Sequence, residues 1–129
     1  MVLVDTSVWV DHLRRGMVGL DIPLSEGQVL CHPFIVGELA CGNLKNRSDI
    51  LSLLQTLPAV RSAEHEEVML FIEKHRLMGK GLGYIDVHLL TSSLLSRAQF
   101  WTHYKRLGNA AASLGIRFSN TKASTGRNT

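Results

Sequence analysis

Three carboxylates, far apart in the chain, each interrupt an apolar setting. Asp5 ends V-L-V-D-T-S, Val2 to Ser7, where three apolar residues pass straight into an acid and two hydroxyls. Glu38 lies inside F-I-V-G-E-L-A-C-G, Phe34 to Gly42. On a helix advancing about 100° per residue it falls between Phe34 and Ile35 and close to Leu39 and Cys41, in the middle of the apolar arc. Asp86 stands in G-Y-I-D-V-H-L-L, Gly83 to Leu90, in the first turn of a helix, with Leu89 and Leu90 one turn on. Each acid has an ordinary explanation. Asp5 and Asp86 suit helix N-termini, and Glu38 suits a salt bridge to a buried Arg or Lys. If the fold brings them together, they repel unless a cation answers them. Hard divalent ions, Mg²⁺ or Mn²⁺, take such oxygen ligands, and sites of this kind activate water for attack on phosphate. Asp11 is a contrast: it lies opposite the Trp9, Val10 and Leu13 face beside Arg14 and Arg15, and reads as a solvated ion-pair residue.

The elements that must position these acids alternate. Val2 to Val4 reads as a buried strand and Ser7 to Arg15 as a helix, with Thr6 or Ser7 as N-cap and Gly16 as its stop. Gln28 to Cys31 is a short strand. Pro33 opens a helix to about Lys45, and another runs from Arg47 to Thr56. Ala59 to Arg61 suits a short strand. A helix spans Glu64 to Met78, with Glu64, Glu66 and Glu67 at its positive end. Gly79 to Gly83, G-K-G-L-G, is a breaker loop before a helix from Tyr84 to Arg97. Gln99 to Thr102 is a strand, Lys105 to Leu114 a helix, and Ile116 to Phe118 a last strand. The polar stretch from Ser119 to Thr129 reads as a disordered tail after one domain, residues 1–118. Strands alternating with helices predict an α/β fold, a parallel sheet covered on both faces. Ligands of such sheets bind outside the carboxyl ends of the strands, where Asp5 sits.

Composition narrows the classes. At 129 residues, 45% hydrophobic, the chain can bury a core. Its apolar runs are too short for a membrane helix, and an acid follows only three apolar residues at the start, so neither a membrane span nor a signal peptide is predicted and cytoplasm is the expectation. Cys31 and Cys41 read as small buried hydrophobes. The net charge of +3 permits an acidic partner. The pairs Arg14-Arg15, Lys45 with Arg47, Lys74 with Arg76, and Lys105-Arg106 sit at or near helix ends, where they complement helix dipoles or rim a phosphate-binding groove.

These pieces resemble a known family. V-D-T-S-V-W-V-D-H-L-R, the G-E-L-A helix, G-Y-I-D-V-H-L-L and F-W-T-H-Y-K-R-L-G-N-A-A-A-S-L-G-I, in this order, are similar to the PIN-domain ribonucleases, most closely the VapC toxins of bacterial toxin–antitoxin pairs. The resemblance runs to Phe118. It implies a compact PIN-like three-layer fold and a Mg²⁺- or Mn²⁺-dependent endoribonuclease acting on single-stranded or loop RNA. Carried over by position, it makes Asp5, Glu38 and Asp86 the metal-binding, catalytic acids. Thr6 or Ser7, and Thr102, become hydroxyls beside them. It also implies a small antitoxin that blocks the acidic site, and a homodimer.

One position departs from the family pattern. Where W-T-x-D-K-R-L is usual, W-T-H-Y-K-R-L, Trp101 to Leu107, puts Tyr104 in place of a fourth acid. A phenol of pKa about 10 is a poor Mg²⁺ ligand. Three acids suit one ion, and Tyr104 predicts weakened activity. His103 reads as a loop residue. The rivals are a dehalogenase-type phosphatase, which needs a second Asp where Ser7 stands, a receiver domain, which needs adjacent acids on the first strand, and a catalytically inactive PIN domain that binds antitoxin or RNA. Metal-dependent cleavage separates the last from an enzyme.

Overall fold

In the computed structural model, which describes residues 1–16 and 18–119, strand β1 (Val2–Val4) is buried along its whole length. A strand that hides both faces needs cover on both sides, and helices supply it. They are α1 (Thr6–Arg15), α2 (Asp21–Ser25), α3 (Pro33–Cys41), α4 (Arg47–Thr56), α5 (His65–His75), α6 (Tyr84–Leu95) and α7 (Lys105–Ser113). With β2 (Val29–Leu30) and β3 (Gln99–Trp101), β1 makes a parallel sheet of order β2-β1-β3. Leu3 pairs with Leu30 on one side and Phe100 on the other. The predicted α/β class holds.

The edges are thinner than the sequence predicts. The strands expected at Ala59 to Arg61 and Ile116 to Phe118 shrink to single parallel bridges, Cys31 with Ala59 and Phe100 with Arg117. Each keeps a pair of hydrogen bonds, such as Val60 N–H to Cys31 O at 3.0 Å and Phe118 N–H to Phe100 O at 2.9 Å. An edge segment has one neighbour only, so its apolar pattern does not guarantee a ladder. The helix expected to reach Lys45 stops at Cys41, and α2 was not expected at all. Cys31 is buried as predicted, but Cys41 is exposed on the groove side of α3.

The core runs through the sheet. Leu3, Val4, Val8, Ile35, Leu90, Phe100 and Ala111 are all sealed from solvent. Gly16 ends α1 at φ +70°, a left-handed turn that glycine takes at little cost, and its N–H closes on His12 O at 2.8 Å. The polar tail expected after Phe118 lies, beyond Ser119, outside the described residues. Among the described residues no helix is long and apolar enough to cross a membrane.

Candidate functional site

Parallel strands all deliver their next residues to one edge. Asp5 follows β1, His32 lies just past β2, and Thr102 follows β3. Asp5 is 3% exposed and caps α1, its Oδ2 accepting from Ser7 N–H at 3.4 Å. The expected cap, Thr6 or Ser7, is therefore one or two residues late: Asp5 has extended backbone and Thr6 is already helical. The same Oδ2 accepts from Ser7 Oγ at 2.7 Å and Thr102 Oγ1 at 2.9 Å. Oδ1 has no hydrogen bond among the described residues. The cap uses Oδ2 alone, so capping does not exclude the functional reading of Asp5.

Glu38 corrects one expectation. It is exposed, not enclosed in an apolar arc. Ile35 and Leu39 turn inward, while Pro33, Phe34, Gly37, Glu38 and Cys41 of α3 form the wall of an open groove with Ile85 of α6. Every residue of α3 except Glu38 is apolar or glycine, so periodicity alone could not say which side faces in. Thr6 Oγ1 donates to Glu38 Oε1 at 3.0 Å, which ties α3 to the first residue of α1. Asp86, half-buried, accepts from Gly83 N–H through Oδ2 at 3.1 Å. Each of the three acids thus has one oxygen tethered and the other free of hydrogen bonds among the described residues.

Tyr104 is carried over this group by its own loop. His103 N–H donates to Ser7 Oγ at 3.0 Å and Tyr104 N–H to Thr102 Oγ1 at 3.1 Å. Partial burial pushes the Tyr104 phenol above its ordinary pKa, and the charges of Asp5, Glu38, Asp86 and Asp11 push it the same way. One hydroxyl feels all four carboxylates. Asp11 is the member that sequence reasoning missed. Its partner is His103 Nδ1, at 2.5 Å from Oδ2, rather than Arg14 or Arg15. Among the described residues no three His, Cys, Asp or Glu side chains close around a single ion. The donors are all hard oxygens, which fits a Mg²⁺-like ion held by one or two carboxylates and water.

Under α3 and α6 lies a second feature that the sequence reading did not single out. His32, 1% exposed, packs against Phe34 and His88 with ring centroids 4.9 and 5.2 Å away. Its Nδ1 accepts from Phe34 N–H at 3.0 Å and so caps α3. His32 Nε2 and His88 Nδ1 are buried and have no hydrogen-bond partner among the described residues. Burial, followed by the neighbouring His88 charge, lowers the His32 pKa from 6.5 to about 4, so the ring stays neutral at physiological pH. A His immediately before Pro33 was the available signal, since an N-cap precedes a proline at the first helical position.

Of the three acids, Asp86 lines a hollow of about 390 Å³, together with Tyr104, Lys105 and Arg106 among others. A carboxylate suits a metal ion, and the two cations beside it suit a phosphate.

No protein-family model matches the chain. The chain is 42% identical over 117 residues to Ribonuclease VapC32 of Mycobacterium tuberculosis, in two strains, across 90% of this chain and 94% of the relative. Among solved structures it is similar to the crystal structure of PAE2754 from Pyrobaculum aerophilum, with a TM-score of 0.58 over 84% of this chain and 78% of that one. Identity there is 15%, so this second likeness speaks for the fold alone.

Proposed function

The chain belongs to the VapC-type PIN-domain ribonucleases, and from that premise we propose that it is a Mg²⁺- or Mn²⁺-dependent endoribonuclease whose activity Tyr104 weakens. It acts in the cytoplasm as the toxin of a type II toxin–antitoxin pair. The observation that carries this reading is the state of Asp5, Glu38 and Asp86: one oxygen of each is held by a hydroxyl or amide, and the other is free. When bound, the ion lowers the pKa of a coordinated water and offsets charge on the phosphate.

The chain's own residues do the rest. Ser7 and Thr102 fix Asp5, Thr6 fixes Glu38, and the Gly83 amide fixes Asp86, so the acids need little reorganisation to meet an ion. The raised pKa keeps Tyr104 protonated, a donor rather than a ligand. Lys105 and Arg106 offset phosphate charge at the mouth of the hollow. An antitoxin that silences the toxin would cover Glu38 and the groove of Phe34, Cys41 and Ile85. A homodimer and a nuclease domain ending near Phe118 complete the proposal.

The test is cleavage of a mixed RNA pool in Mg²⁺ or Mn²⁺. The parent chain should cleave weakly, and Tyr104→Asp should raise the rate at least about tenfold, the scale on which residues around a metal tune activity. Adding Asp86→Asn to Tyr104→Asp should abolish it. Activity that survives in that double variant would discard the metal-site assignment. Tyr104→Asp that stays silent, with RNA or antitoxin still bound, would favour the rival reading of a non-catalytic binding module.

A further inference from the structure

Lys80, Lys105 and Arg106 gather on one side of the acidic site, and among the described residues none of them has a carboxylate or hydrogen-bond partner. Arg106 stands on a divide. On one side is the hollow with Asp86 and Tyr104, and on the other is a smaller cleft of about 220 Å³ with Lys80, Asn109 and Ser113. It packs closely over the loop that carries Gly81. Gly81 has φ +75°, and a Cβ added there would collide with Arg106 Nη1 and lie 2.9 Å from its Cδ. The guanidinium group occupies the space that only a glycine leaves open. Lys80 is the preceding residue of the same loop. Asn109 lies three residues after Arg106, hence on the same face of α7. Ser113 is a poorer donor, because its hydroxyl already donates to Ala110 O at 2.8 Å.

We infer that Lys80, Arg106 and Asn109 bind a second phosphate of the RNA strand, one that flanks the bond held at the acids. The inference rests on the ribonuclease reading and gives the substrate a direction: from Asp86 across Arg106 towards Asn109. Two cations and the Asn109 amide N–H supply donors, and no carboxylate lines the cleft, which is the chemistry a phosphodiester oxygen takes. The contact reads backbone rather than base, so it binds every sequence alike. Gly81 is a positioning residue: it seats Arg106 between the two hollows.

The experiment measures the affinity of the full chain for labelled single-stranded RNAs of several sequences, across a salt series in Mg²⁺. Lys80→Gln with Arg106→Gln should weaken binding equally for all sequences and reduce the slope of log affinity against log salt by roughly 0.7 for each lost contact. Gly81→Asn tolerates a positive φ yet still carries a Cβ, so it should match Arg106→Gln and add nothing when combined with it. Arg97→Gln, just before β3 at the opposite end of the sheet, removes the same charge and should leave the slope unchanged. Circular dichroism of each variant confirms folding. If the parent binds RNA and Lys80→Gln with Arg106→Gln loses no more than Arg97→Gln, the second phosphate position is overturned and the ribonuclease reading stands. If the parent binds no RNA at any salt concentration, both fall.

Discussion

At the amino end of the sheet, a hollow of about 560 Å³ opens between Met1, Val2, Ile22, Pro23 and Phe118, with Glu26 as its one carboxylate. At the carboxyl end, the hollow beside Asp86 and Tyr104 is smaller, about 390 Å³. The smaller one is where the proposed chemistry lies. Parallel strands point their following residues the same way, so Asp5 and Thr102 meet at one edge, and the helix N-termini that bear Thr6 and Asp86 gather there too. The opposite edge receives the ends of helices and the starts of strands, and its walls are mostly apolar. The carboxyl end also bears the strain of buried polar groups, including Asp5, His32 and His88.

That asymmetry can be broken first with pH. His32 titrates near pH 4 when folded and near 6.5 when unfolded, so the unfolded chain binds its proton first as the pH falls. The stability from keeping His32 neutral is complete above about pH 6.5 and is lost on descending to about pH 4, a change of about 3 kcal/mol. Urea unfolding of the chain and of His32→Asn, which keeps a cap acceptor for Phe34 N–H, should show a steeper acid loss in the parent. Parallel profiles would mean that His32 is not strained.

A smaller effect separates the cap from the ion. Asp5→Ala removes the acceptor of Ser7 and Thr102 and should cost about 2 kcal/mol without metal. Asp5→Asn keeps one acceptor oxygen and should cost less than about 1 kcal/mol. Mg²⁺ should raise the melting temperature of the parent and of neither variant. Metal stabilisation that persists in Asp5→Asn would remove Asp5 from the ligand set. The smallest effect belongs to the amino end: Glu26→Gln should leave RNA cleavage and Mg²⁺ stabilisation within about twofold of the parent, since surface changes away from a site are close to neutral. A larger change would give that hollow a role in the reaction.

Local pattern was enough for much of this protein. Three consecutive apolar residues before Asp5 predicted a strand buried on both faces, and β1 is one. Capping and breaker residues placed α4 at Arg47–Thr56 and began α6 at Tyr84. Asp5 was legible as a buried acid in an apolar stretch, whereas the same burial argument failed for Glu38, which is exposed.

Tertiary structure decided what local periodicity cannot carry. Strand pairing needs a neighbour, so the weak edges at Ala59 and Arg117 were invisible in their apolar residues. An almost wholly apolar helix has no preferred inside, so the exposure of Glu38 followed from where α1 and α6 pack against α3. The bond between Asp11 and His103 spans 92 positions, and the seat of Arg106 over Gly81 spans 25. Such contacts arise from chain crossings, and no residue spacing encodes them. The sequence determined which side chains are chemically conspicuous; the fold decided which of their oxygens are tied down, which remain free, and which cations stand beside them.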